Sequence, residues 1–240
     1  MRRDAGQLVL RMTQNADCNN LETPIIPAPW HLTGSGFIVL FRAGRSFVAR
    51  DAHLPAELLP QALGGIGALM IVRYTSSPVG PYDELLCIPA RLRGSGRIAP
   101  FTISAILVST LASVVGGRAN WGMPKEQAGF DFSRIAATDH VHVFDQRGSI
   151  ARFQLRAAGP TLPFSTAIIP PPLRTIRQVY AGKRFFTCPS GHGRIRPARL
   201  LQAEIDPARF PDIGRTQILA TVAVERFGLI FPPAYTELLS

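Results

Sequence analysis

The 240-residue sequence predicts a mainly β domain of the α+β class, its strands mostly antiparallel and arranged as a barrel or as packed sheets with few short helices. Three observations carry that expectation. Glycine and proline, 21 of each, cut the chain into many short elements. The apolar residues fall in short runs, and long helical periodicity is scarce. With 46% hydrophobic and only 18% charged residues, the chain is an ordered globular protein able to bury one large core.

Residues 1–22 are polar and unpatterned, and Leu8-Val9-Leu10 is far too short for a signal-peptide core or an anchor, so they read as an extension ahead of a single domain over 23–240. Gly36–Arg42 is a buried strand and Ala68–Tyr74 suits a central one. Between them, Leu54, Leu58, Leu59 and Leu63 recur at helical spacing. Asp51 would cap that helix and Gly64-Gly65 would stop it, with Pro60 keeping it short or kinked. Further strands are expected at Glu84–Ile88, Arg97–Val108, Gly129–Phe132, Val141–Phe144, Ile150–Leu155, Leu200–Ile205 and Gln217–Val224. The apolar stretch Phe101–Val115, interrupted by Thr102, Ser104, Ser109, Thr110 and Ser113, reads as a buried strand plus a turn. It is too short and too polar to cross a bilayer.

Cys18, Cys87 and Cys188 are widely separated and form no C-x-x-C pair, which argues against a disulfide framework and against a zinc knuckle and points to the cytoplasm. A net charge of +10 invites a nucleic-acid reading. The densest basic region, Lys183-Arg184 through Arg194, Arg196 and Arg199, has Phe185 and Phe186 beside it, yet Pro189, Gly191 and Gly193 break it and no binding fold is recognisable. Attraction of small anionic substrates uses the charge equally well. His140-x-His142 would put two imidazoles on one strand face without a third ligand, and Cys188-x-x-x-His192 fares no better, so no metal is expected.

Lys125 and Lys183 are the only lysines among 26 basic residues. An amine can lose its proton and attack a carbonyl, whereas a guanidinium stays charged. Lys125 ends the segment Gly117-Arg118 followed by Trp121-Gly122-Met123-Pro124-Lys125, and a second conspicuous segment runs Gly80-Pro81-Tyr82-Asp83-Glu84 into a strand. Together these resemble the acetoacetate decarboxylase-like family, with a weaker likeness at Pro27-Ala28-Pro29-Trp30-x-Leu32.

The resemblance implies a lysine Schiff-base enzyme that acts on a small oxo acid, decarboxylating a β-keto acid without cofactor or metal. Aldol or dehydration chemistry through the same iminium, and a non-catalytic small-molecule binder, are the alternatives. Lys125 takes the place of the family's Schiff-base lysine, and Glu84 that of its active-site glutamate. Arg73, Arg118, Tyr82, Trp121 and Met123 are candidate substrate-binding residues. A free lysine, with a pKa of about 10.4, is almost wholly protonated at neutral pH, so an apolar pocket has to disfavour its charge. Trp121, Met123, Phe130 and Phe132 are candidates for that pocket. The expected partners are the oxo-acid substrate and further copies of the chain in a homo-oligomer, with neither membrane nor nucleic acid.

Two departures stand out. The family's decarboxylases follow the reactive lysine with a second lysine, where this chain has Glu126, and Thr33-Gly34-Ser35-Gly36 occupies the stretch that carries the family's N-terminal arginine. A neighbouring carboxylate would work against the neutral amine. Adjacent strand residues point opposite ways, however, so Glu126 need not face it.

Overall fold

A computed structural model describes residues 23–94 and 99–239; the polar extension expected over 1–22 lies outside them, as do Arg97 and Ile98 of the expected Arg97–Val108 strand. The first half of the chain forms β1 (Trp30–Ala43), α1 (Arg45–Arg50), β2 (Gly65–Ser76), β3 (Tyr82–Ile88), β4 (Ala90–Arg91), β5 (Phe101–Thr102), β6 (Ala105–Val108) and α2 (Leu111–Trp121). The second half forms β7 (Lys125–Gln127), β8 (Gly129–Ile135), β9 (Thr138–Asp145), β10 (Gly148–Ala157), β11 (Leu162–Ser165), β12 (Ile176–Tyr180), β13 (Lys183–Thr187), β14 (Ser190–Ile205), β15 (Ile218–Phe231) and β16 (Tyr235–Leu238). The protein is mainly β, as the punctuation by glycine and proline implies.

The strands form two sheets. In the 11-stranded sheet the order is β7-β6-β3-β2-β1-β15-β14-β10-β9-β8, with β11 paired to β14; the 5-stranded sheet runs β16-β13-β12-β5-β4. Antiparallel pairing dominates, and β6–β7 and β5–β12 are parallel. Strands β7 and β8 close the two ends of the large sheet's order, yet Ala128 alone separates them in the chain. The large sheet therefore curls until its edges approach without pairing. It is an open sheet packed with a smaller one, not a closed barrel.

Strand alternation divides the buried side chains into two clusters. Val39 and Phe41 of β1, Leu69 and Ile71 of β2, and Leu85 and Cys87 of β3 enter one cluster with Val141, Val143, Phe153 and Leu155. From the opposite parity of the same strands, Val72, Tyr74, Tyr82 and Leu86 enter a second cluster. There they join Ile106 and Val108 of β6, Trp121 of α2 and Ile176 of the small sheet. The second cluster is the layer in which α2 lies on the large sheet.

Helical segments are where the sequence expectation fails. The helix expected over Asp51–Leu63 does not form: Asp51 is instead the C-cap of the earlier helix α1, and the span carrying Pro55 and Pro60 yields only a single 3-10 turn at Leu59–Gln61. Proline withholds the N–H that a continuous helix needs. The Phe101–Val115 stretch is likewise more than a strand and a turn. Its described part supplies β5 to one sheet and β6 to the other, and then α2. Thr110 caps α2 by accepting from the Ser113 N–H, and Gly122 ends it at φ 62°, a left-handed conformation that favours glycine. Val114-Val115-Gly116-Gly117 is a poor helix-forming run, so packing holds this helix more than propensity does.

Candidate active site

Register brings the acidic and basic residues of the site together from distant segments. Val72 of β2 and Val108 of β6 flank Glu84 of β3, Tyr82 pairs with Tyr74, and Ile106 pairs with Lys125 across the parallel β6–β7 ladder. Because side chains alternate, Tyr74, Tyr82, Glu84 and Lys125 all project from one face of the large sheet, under α2.

On that face the Lys125 ammonium donates to Glu84 Oε2 at 2.8 Å and to Ser113 Oγ at 3.0 Å. Tyr74 donates its hydroxyl to the other Glu84 oxygen, Oε1, at 3.0 Å. The Tyr82 ring lies with its centroid 5.0 Å from Lys125 Nζ, within cation–π range. Lys125 is 3% exposed and Glu84 4%, so this ion pair is closed off from solvent. Burial first, and the Glu84 charge second, push the Tyr74 and Tyr82 phenols well above their ordinary range, so both stay protonated.

The sequence of α2 explains how the lysine fits. Ser113 and Gly117, four residues apart, share the helix face above Lys125. A Cβ on Gly117 would come within 2.5 Å of Lys125 Cδ, and one on Gly116 within 2.5 Å of the Trp30 ring. The Gly-Gly pair thus lets the helix settle on the lysine stem and on the tryptophan. Asn120 fixes the same helix to the incoming chain, donating to the Ile26 carbonyl at 2.8 Å and accepting from the Ala28 N–H at 3.0 Å.

The other expected site residues divide. Tyr82 joins the pair. Met123 lies in the same buried cluster, and its carbonyl accepts from the Lys125 N–H at 2.8 Å. Trp121 is committed to packing, its ring edge-on to Trp30 and Phe231 and its indole N–H donated to the Pro232 carbonyl at 2.7 Å. Arg118 is half-buried one residue past Gly117 and bonds to neither Glu84 nor Lys125.

Arg73 is not brought to the Lys125–Glu84 pair. Its position on β2 has the opposite parity, and it pairs with Asp83 at 3.3 Å and lies over the Phe132 ring at 4.4 Å. Phe130 and Phe132 stack on each other and pack against the first cluster, so neither forms the lysine's pocket. Glu126 is exposed and on the opposite parity from Lys125, so it does not confront the amine.

Sequence reasoning missed Tyr74, Ser113 and the steric role of Gly117. The alternation of the Ala68–Tyr74 run already placed Tyr74 on the face of Val72, and Thr110 ahead of an apolar run is an N-cap residue type that puts Ser113 in the first turn of a helix.

Other features of the surface stand apart from Lys125. A depression of about 260 Å3 on β8, β9, β10 and β14 is lined by Asp131, His140, His142, Arg152 and Glu204 among others, and one of about 620 Å3 by residues including Ser109, Gln127 and Arg147. Lys125 lines neither. Among the described residues no group of three or more His, Cys, Asp or Glu side chains is placed to hold a metal ion, and His142 instead pairs with Ser149 Oγ at 3.2 Å. The basic region is split between sheets, Lys183 and Arg184 on β13 and Arg194, Arg196 and Arg199 on β14, and Phe185 is buried rather than free to stack. No helix among the described residues is long and apolar enough to cross a membrane.

The family model described as acetoacetate decarboxylase matches residues 22–189. The chain belongs to that family. No curated protein matches the sequence. Among solved structures, acetoacetate decarboxylase from Legionella pneumophila is similar at 15% identity and a TM-score of 0.65, with 88% of each chain covered. An acetoacetate decarboxylase-like enzyme from Sphingomonas wittichii RW1 has a TM-score of 0.64 at 13% identity, covering 90% of this chain and 95% of that one. The enduracididine biosynthesis enzyme MppR complexed with pyruvate has a TM-score of 0.60 at 17% identity, covering 90% and 92%. At these identities the likeness is one of fold.

Proposed function

We propose that this family member is a cytoplasmic lysine Schiff-base enzyme that decarboxylates a small β-keto acid, with Lys125 as nucleophile and Glu84 as proton carrier. The observation that supports it is the solvent-excluded contact of 2.8 Å between Lys125 Nζ and Glu84 Oε2, made between segments 41 residues apart. A purely structural buried pair adds little stability over well-packed apolar residues, so its presence in an otherwise apolar layer favours a chemical use.

Up to the loss of carbon dioxide the protons balance on these two residues. Glu84 takes a proton from the ammonium, and the neutral amine adds to the substrate carbonyl. The carboxyl of Glu84 then protonates the new oxygen. Glu84 next removes a second proton from nitrogen and returns it to the hydroxyl, which leaves as water and gives a protonated imine beside an ionised Glu84. The positive imine draws in the electron pair of the bond to the substrate carboxylate, so carbon dioxide departs and an enamine remains. A proton taken up from solvent goes to the enamine carbon, and addition of water to the resulting protonated imine releases the ketone and restores the ammonium beside ionised Glu84. Tyr74 holds Glu84 Oε1 throughout and leaves Oε2 to the nitrogen. Because α2 and the apolar side chains close over Lys125, substrate entry requires that layer to open.

The same iminium can serve an aldol or dehydration reaction, and two observations favour keeping that second reading. The residue after Lys125 is the acidic Glu126, so that position supplies no second cation, and the fold is also that of MppR, which has been seen with a condensation product of pyruvate and imidazole 4-carboxaldehyde. Incubation with acetoacetate or pyruvate and borohydride should add one covalent adduct at Lys125, read by peptide mass. Carbon dioxide release from acetoacetate then separates decarboxylation from the aldol reading. Labelling of Lys183 alone, or of neither lysine, sinks the Schiff-base reading and leaves a small-molecule binder.

A further inference from the structure

Resting on that Schiff-base reading, we propose that Ser113 is a further catalytic residue, whose hydroxyl donates to the oxygen that develops negative charge when Lys125 attacks the substrate carbonyl. Ser113 is fully buried in the first turn of α2. Its backbone N–H is already satisfied by the cap Thr110, so the side chain is not needed to start the helix. The hydroxyl instead points at the reacting atom, accepting from Lys125 Nζ at 3.0 Å, with the Tyr82 phenol as its other polar neighbour.

Hydrogen-bond capacity explains why the contact matters. An ammonium has three protons to donate, and in the resting site it gives one to Glu84 and one to Ser113. A protonated imine keeps a single N–H, and the carboxylate is the stronger acceptor for it. By the imine stage Ser113 has therefore lost its donor, inside a layer where an unpaired polar group costs about 1–3 kcal/mol. The new substrate oxygen sits on the carbon bonded to Nζ, which places it within reach of an oxygen held 3.0 Å from that nitrogen. A hydroxyl hydrogen rotates freely, so Ser113 can turn from accepting to donating.

The electrons balance without a new reactant. The nitrogen lone pair forms the N–C bond while the carbonyl π pair moves onto oxygen. Ser113 stabilises that oxygen by a hydrogen bond and keeps its proton, and the proton that oxygen finally takes comes from the Glu84 carboxyl. Preorganised donors of this kind contribute about 10²–10³-fold to rate.

Rapid-quench borohydride trapping with acetoacetate, followed by intact mass, measures how fast label appears at Lys125. In Ser113→Ala we expect the initial labelling rate to fall about 10²-fold, with the final extent of labelling and the thermal midpoint near those of the wild type. Ser113→Thr, which keeps the hydroxyl, should recover most of the rate. Labelling of Ser113→Ala at the wild-type rate overturns the proposal, and so does an equal slowing of the alanine and threonine variants, since that would mark a packing role. Should the alanine variant not fold, Ser113→Cys gives the same comparison with a weak donor and nearly unchanged volume. A wild type that labels with neither acetoacetate nor pyruvate defeats the parent Schiff-base reading, whereas a wild type that labels normally beside an unaffected Ser113→Ala defeats only the role of Ser113.

Discussion

Strand β3 carries two adjacent carboxylates, and each meets a cation on another strand. Asp83 and Arg73 pair at 3.3 Å with side chains 23% and 56% exposed, whereas Glu84 and Lys125 pair at 2.8 Å with side chains 5% and 3% exposed. Burial raises the Asp83 pKa, and the Arg73 charge opposes that rise. The chemical groups are alike, and a single step along the strand puts them on opposite faces. One pair is screened by water and held in part by a ring, Phe132, beneath the guanidinium. The other lies where no solvent competes and where hydroxyls from Tyr74 and Ser113 complete its hydrogen bonds. Strand parity decides which ion pair is closed off from water, and the buried one is also the one that carries an amine.

Breaking the two pairs should therefore give effects of different size, and the buried one comes first. Glu84→Gln keeps the shape of the side chain and its bond from Tyr74 while leaving the Lys125 ammonium without a charged partner. Loss of one member of a buried pair costs about 3–5 kcal/mol, and loss of a proton carrier about 10²–10⁴-fold in rate. We expect turnover of acetoacetate to drop at least about 10²-fold and chemical denaturation to show destabilisation near that range. A folded Glu84→Gln protein with near-normal turnover would remove Glu84 from the mechanism and make the two pairs equivalent.

A smaller effect is expected from the helix above the buried pair. Gly117→Ala would set a methyl 2.5 Å from Lys125 Cδ, on a helix otherwise favoured by alanine. Propensity alone predicts stabilisation by about 1 kcal/mol; overpacking predicts a loss of about 1–3 kcal/mol. The lysine stem runs between strand and helix with little room to yield, so overpacking wins, and both the melting temperature and the borohydride-labelling rate at Lys125 should fall. A stabilised variant with unchanged labelling would show that the Gly-Gly pair is not what seats the amine.

The same parity argument separates what the sequence revealed from what it hid. Lys125 stood out as one of only two lysines, Glu84 through the resemblance of its segment to the acetoacetate decarboxylase-like family, and the structure brings the two together by the β3–β6–β7 pairing. Arg73 was a candidate only for binding substrate, and a run such as Arg73 to Glu84 does not disclose which parity faces α2 until the neighbouring layers are placed. The long strands β1, β2, β10 and β15 were visible as apolar runs. Strand β14 was recognised only at Leu200–Ile205, since Gly191, Gly193 and Pro197 read as breaks; yet Gly193 permits the backbone of β15 to approach, its absent Cβ lying 2.4 Å from the Arg226 carbonyl oxygen. The small sheet was largely hidden because its strands are two to five residues long and come from four separate regions. Helix α2 was hidden because the layer around it, rather than its own Val-Val-Gly-Gly run, makes it helical.

The smallest expected effect lies at the exposed pair and tests the comparison from its other side. Arg73→Ala removes the partner of Asp83 and the cation over Phe132, both on the face that points away from Lys125. With the guanidinium more than half exposed, the ion pair contributes about 0–1 kcal/mol, and the stacking on Phe132 a further 0.5–1 kcal/mol or so. High salt should erase much of the first contribution in the wild type and none in the variant, which has no pair left to screen. Labelling of Lys125 and turnover of acetoacetate should both stay within about twofold of the wild type, because the Arg73 side chain is engaged on the opposite face of the sheet. A loss of turnover approaching that of Glu84→Gln, in a protein that melts normally, would return Arg73 to the substrate's path and show that the two faces of β3 communicate.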